Sequence, residues 1–299
     1  MSLTIKGRQI RFSLKWLKPP PAPPDGSMTL FEHLRELRYR LVIAALAIIV
    51  GMIVAWFFRQ PLMDLLQQPY FKAIEALKVN HPDASTSLVN INLTSPLTLA
   101  LKVSALAGAI ATAPIWLYQL WAFIVPGLLS KEKKWALIFI GAATPMFAGG
   151  VAVAYIVMPK GIMVLLSFTQ SGVTNLQDIN AYLSFLLRAM VVFGIAFVIP
   201  LIVLMLNIVG VVKAKQLSKY RTYVIFGTFV FGAIATPSTD PFSMLALAVP
   251  MAVLFVAAEV IAHILDRRKS RRLSDQAVVA DLDNDVALRE LDGRTEPAP

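Results

Sequence analysis

Three acidic residues stand where acids are hard to explain. Glu36 lies in "FEHLRELRYRL" (31–41), on the threshold of the uncharged run "VIAALAIIVGMIVAWFF" (42–58). Glu132 is the acid of "LLSKEKKW", and Glu259 interrupts the apolar "LFVAAEVIAHIL". Isolated carboxylates on basic or apolar ground suit ion pairing rather than acid–base catalysis, because no second carboxylate shares a span with them. Other chemistries are poorly provided for. The chain has no cysteine, so disulfides and thiolate metal sites are excluded. His33, His81 and His263 are too scattered to read as a metal site, and no "GxxxxGK[ST]" phosphate loop is present. No cofactor and no enzymatic activity are expected.

The elements that must carry these acids are membrane spans. Hydrophobic residues make up 57% of the 299, charged residues only 15%, and the mean hydropathy is +0.66. Soluble domains hold about 45–50% apolar and about 25% charged residues. Uncharged runs place six helices at 41–58, 97–120, 135–158, 187–208, 222–236 and 243–263. A span needs about 20 apolar residues to cross about 30 Å of hydrocarbon. The fifth, with about 15 residues, gives only about 22 Å of helix, and the sixth is little longer before Glu259. Short helices 5 and 6 should thin the bilayer beside them. Pro114, Pro145, Pro200 and Pro250 fall inside spans and are expected to kink them. The predicted fold is all-α, with six spans forming a bent wall with a concave face.

Of the 28 Lys and Arg, 22 fall on one side of this layout: before residue 41, after helices 2 and 4, and in the tail. Cytoplasmic loops carry such an excess, so both termini are expected in the cytoplasm, at the cytoplasmic membrane. The basic charge is explained by topology and anionic lipid headgroups, not by nucleic acid. Residues 1–27, with "PPPAPP", are read as a disordered basic arm, 28–265 as the membrane domain and 266–299 as a disordered tail, basic then acidic. Residues 59–96 read as a long loop with amphipathic pieces.

At 100° per residue, Leu30, Leu34, Leu37 and Leu41 share one face of a short interfacial helix, while Glu32, Glu36 and Arg40 share the other. Thr29 and Glu32 form a capping box. Glu36 then has two readings. One is an i,i+4 pair with Arg40, worth about 0.2–0.5 kcal/mol. The other is a binding site. Glu132 is likewise a solvated loop charge or a site. Glu259 snorkels toward the headgroups marked by Arg267 or meets a partner helix.

The segments "HLRELRYRL" (33–41), "APIWLYQLWAFIVPGLLSKEKK" (113–134), "YLSFLLRAMVVFGIAFVIPL" (182–201) and "FGAIATPSTDPFS" (231–243) resemble the TatC family. That family is the multispanning receptor of the twin-arginine protein translocase. The resemblance covers about residues 28–265. It implies binding of twin-arginine signal peptides of folded cargo and assembly with single-span TatA- and TatB-type partners. It also implies self-association in the complex and drive by the proton-motive force. It places the signal-binding patch on Glu36 and Glu132, with Arg38 and Phe123 beside it. Pro69 and Asp240 match positions of structural or partner importance. A guanidinium pairs with a carboxylate through two parallel hydrogen bonds, a geometry lysine does not copy. One acid for each arginine of the motif follows.

The sequence departs from that pattern in span 4. The family commonly carries Glu in a motif like "FGxxFExP", whereas this chain reads "FGIAFVIP", with Val198 at that position. Glu259 remains the acid within a span and is read as the polar contact for a TatA-type helix. The alternatives are a secondary transporter or proton channel, which needs paired intramembrane charges or helices broken at the midplane, and a membrane scaffold without cargo specificity.

Overall fold

The computed structural model of the chain describes residues 2–5, 8–11, 30–80, 86–91, 93–124, 133–168, 175–235 and 241–292. The first membrane helix, α1 (Leu30–Trp56), is followed by α2 (Arg59–Asn80), then by strand β3 (Thr86–Val89). Next come α3 (Ser95–Ala111), α4 (Ala113–Ile124) and α5 (Lys133–Ser167). Strand β4 (Asn175–Asp178) leads into α6 (Ile179–Val209), α7 (Ala214–Ala235) and α8 (Pro241–Asp292). Ahead of all these, β1 (Ser2–Ile5) and β2 (Arg8–Arg11) pair antiparallel. Part of the arm expected to be disordered is therefore a hairpin.

Among the described residues, four helices are long and apolar enough to cross a membrane: Phe31–Trp56, Trp135–Ser167, Ile179–Val209 and Pro241–Arg271. The bent pair α3 and α4 makes a fifth if taken as one span. The sixth expected span is the apolar end of α7. That helix misses the same apolar length because Lys215, Lys219 and Arg221 stand near its start.

One side of the wall carries the start of α1, the end of α4 and the feet of α6, α7 and α8; it is called the basic side. The opposite, capped side is covered by α2, which packs on α5 and α3. There β3 and β4 pair in parallel, Thr86 opposite Asn175 through Val89 opposite Asp178. They tie the segment leading into α3 to the segment leading into α6. Asp178 then caps α6, accepting from Asn180 N–H at 3.1 Å. The long loop expected at 59–96 is thus mostly helix, and Pro69 is fully buried inside it.

Close crossings weld the wall. A Cβ on Gly108 of α3 would lie 2.3 Å from Met52 N of α1, and one on Gly150 of α5 2.4 Å from Phe193 O of α6. In lipid, where apolar burial drives little association, such close backbone packing is what joins helices. The core between α3, α4, α5 and α6 is apolar, with Trp121 stacked on Phe139 at 4.6 Å. The outer surfaces are apolar too: Ile49, Val50, Leu137 and Ile156 are all exposed, as a lipid-facing surface requires.

The span expected at 97–120 is broken. At Thr112 the chain turns by 66° between α3 and α4. Pro114 lacks an N–H and disfavours the helical conformation of the residue before it. The break frees backbone acceptors of α3, and Trp116 satisfies one: its Nε1 donates to Ala109 O at 2.8 Å. Pro145, Pro200 and Pro250 lie inside continuous helices. The tail also departs from expectation, because α8 continues unbroken to Asp292. Residues 266–292 contain neither Gly nor Pro and are rich in Leu, Ala, Arg and Asp, so nothing local stops the helix before Gly293.

Candidate functional site

Among the described residues, no separate interfacial helix precedes span 1. Residues 30–56 form one helix of 27 residues, about 40 Å long, so its first turns overrun the hydrocarbon. The two-faced pattern survives: Leu34, Leu37 and Leu41 are exposed, and Glu36 on the other side is buried, 5% exposed. Its face meets α4. His33 stacks on Phe123 with ring centroids 4.5 Å apart. Arg40 donates to Glu36 Oε1 through Nε at 2.9 Å and also through Nη2. Its Nη1 lies 3.5 Å from Gln119 Oε1 on α4.

The pair with Arg40 foreseen from spacing is therefore present, but it is neither exposed nor complete. Both guanidinium contacts converge on Oε1, and Glu36 Oε2 is buried without a hydrogen-bond partner among the described residues. A carboxylate oxygen taken from water and left unpaired is costly. Its geometry suits one incoming donor, and a cation best of all.

Arg38 is exposed on α1, one residue round from the lipid-facing Leu37. Glu132 and Asp240 lie outside the described residues. Gln119 and His33 escaped the sequence reading. Their contacts span 79 and 90 residues of sequence, and no helical spacing signals a contact between α1 and α4.

Glu259 is answered from within the chain. It is 1% exposed. Arg221 Nε donates to its Oε2 at 2.8 Å, and Nη2 to its Oε1 at 2.6 Å. Ser218 Oγ donates to Oε1 at 2.6 Å and lies 2.8 Å from His263 Nε2. One turn nearer the end of α8 than His263's neighbours, Asp266 accepts from Ala214 N–H at 2.9 Å, capping α7 from across the interface. Glu259 therefore neither snorkels nor lacks a partner; it fastens α8 to α7. Val198 is buried, 3% exposed, in the core of α6.

Residues 32–250 match the family of Sec-independent protein translocase proteins, TatC. The chain belongs to the TatC family. A TatC protein of Frankia casuarinae is 41% identical over 265 residues, covering 87% of this chain and 72% of its own. One from Aquifex aeolicus is 34% identical over 245 residues, covering 81% of this chain and 98% of its own. A crystal structure of the twin-arginine translocase receptor TatC in the detergent DDM superposes with a TM-score of 0.64 at 33% identity, covering 77% of this chain and 99% of that one. This TatC-family chain is thus a multi-pass membrane protein and a component of a protein translocase.

Proposed function

We propose that this chain is the receptor of a twin-arginine translocase, and that Glu36 takes one arginine of the signal peptide. The observation that carries the reading is the buried, unpaired Oε2 of Glu36 beside the stacked His33 and Phe123. Arg40 and Gln119 hold the carboxylate still, so the incoming guanidinium finds it oriented. Glu132, on the segment following α4, supplies the acceptor for the second arginine, with Arg38 and Phe123 bordering the path. The surrounding lysines and arginines repel generic basic segments. The relatives' naming as translocase proteins and as a twin-arginine translocase receptor supports the same assignment.

The rest of the assembly follows the family. TatA- and TatB-type single-span proteins gather on the wall, further copies of this chain associate, folded cargo is exported, and the proton-motive force drives it. The membrane is the cytoplasmic one, with the basic side inside, as the Lys/Arg asymmetry indicates. Pro69, buried within the cap helix α2, and Asp240 are assigned structural or partner roles. Glu259 is assigned to the α7–α8 joint, since both its oxygens are engaged there.

The test is binding of a twin-arginine signal peptide to the purified chain in lipid nanodiscs. The wild-type chain binds, and binding falls when the peptide's Arg–Arg becomes Lys–Lys or when Glu36→Gln is introduced. Binding indifferent to both changes overturns the receptor reading.

A further inference from the structure

On the capped half of the wall, α3, α6 and the end of α7 enclose an open cavity of about 740 Å³. Its lining is apolar except for Lys102, Ser184 and Arg188. Lys102 Nζ reaches Ser184 Oγ at 2.8 Å and Asn180 Oδ1 at 3.3 Å, both neutral acceptors. Arg188 is exposed to the cavity, and no carboxylate is among the described residues that line it. Arg188 lies nine residues into α6 from Ile179, about 13 Å along the axis, and Lys102 seven residues into α3, about 10 Å. Two cations at that depth, with no anion among the described residues that line the cavity, form an arrangement that membrane segments avoid unless something else supplies the charge.

We propose that this cavity seats a membrane-spanning partner helix that carries a carboxylate within its apolar stretch, and that Lys102 and Arg188 receive that carboxylate. Charge complementarity names the group, and the walls name its bearer. Ala105 and Ala109 of α3, four residues apart, line the same cavity below Lys102. Small residues at that spacing let a second backbone come close. Leu187, Val191 and Ile234 complete an apolar trough around the cations. A lipid headgroup needs no such trough, and its phosphate sits above this depth. A transmembrane helix fills the trough and brings its acid to the cations together. Lys102 and Arg188 are the charged groups among the described residues that line this face, so the chain selects a partner by its acid.

The absence of cysteine makes the test direct. A single Ala109→Cys chain is assembled in membranes with its single-span subunits, each carrying one cysteine stepped through its apolar stretch. Disulfide yield should peak within a turn of the partner's acidic residue. Lys102→Ala with Arg188→Ala should cut that yield about three- to tenfold, and Arg188→Lys should retain most of it. Arg188→Glu should abolish it, and replacing the partner's acid by lysine should restore it. Signal-peptide binding to the same variants, read separately at the basic side, reports folding and the Glu36 site. Unchanged crosslinking in the double-alanine variant overturns the proposal. So does a phospholipid seen by native mass spectrometry that is lost in that variant while crosslinking persists.

Discussion

Arg40 grips Glu36 through a single oxygen and leaves the other buried and unpaired. The two residues therefore predict different phenotypes. Glu36→Gln removes the charged acceptor and should weaken signal-peptide binding about tenfold or more, the loss of one charge-assisted hydrogen bond. Arg40→Ala keeps the acceptor but strands it without its cation and frees Gln119. It should lower stability by about 1–3 kcal/mol and weaken binding less than Glu36→Gln does. Fluorescence anisotropy of a labelled peptide and thermal unfolding in the same nanodiscs separate the two effects.

Adjacent glycines give a second contrast. Gly149 has nothing within 4 Å of an added Cβ, whereas Gly150 would press one onto the backbone of α6. Gly149→Ala should hold or raise stability, by up to about 1 kcal/mol through helix propensity. Gly150→Ala should lower it by about 1–3 kcal/mol, as overpacking does. Unfolding midpoints of the two variants check this, and equal midpoints would mean that the α5–α6 crossing is looser than described.

Two tyrosines beneath the cap should behave oppositely. Tyr182 O–H donates to Leu66 O at 2.9 Å, while the buried Tyr70 hydroxyl has no hydrogen-bond partner among the described residues. Tyr182→Phe removes a made bond and should cost about 0.5–1.5 kcal/mol. Tyr70→Phe removes an unsatisfied buried oxygen and should be neutral or stabilising by up to about 1 kcal/mol. Thermal melts of both single variants decide it.

At the foot of the wall, Glu259→Ala and Arg221→Ala remove the two halves of one contact. Each should raise hydrogen exchange in α7 and the neighbouring turns of α8, and the double variant should add little to either. Additive effects would show that the residues act apart. Partner crosslinking at the cavity should survive Glu259→Ala.

Some of this architecture could be read directly from residue patterns. The uncharged runs located the spans because lipid enforces them over 20 or so residues, and the alternation of leucines with Glu36 and Arg40 assigned the faces of α1. What depends on contact at long sequence separation was hidden. Glu36 shows both halves: its spacing to Arg40 is local, but the burial that leaves Oε2 bare comes from α4, about 80 residues later. Pro114 signalled a kink, yet not that it would divide the span into two helices. Glu259 looked isolated because Arg221, 38 residues earlier, shares no helix with it. The helical course of 59–80 and 266–292 was missed for another reason. Both stretches are too polar to read as spans, and lipid imposes no pattern on them.

The break at Thr112 has one more consequence. On its capped arm, α3 offers Lys102, Ala105 and Ala109 to the cavity. On its basic arm, α4 offers Gln119 and Phe123 to the carboxylate site. These are the two arms of one elbow, stiffened by the indole of Trp116 reaching back to Ala109. The cavity face on α3 and the carboxylate face on α4 are thus carried by one bent pair, and the two halves of the membrane are joined through less than 30 residues of chain.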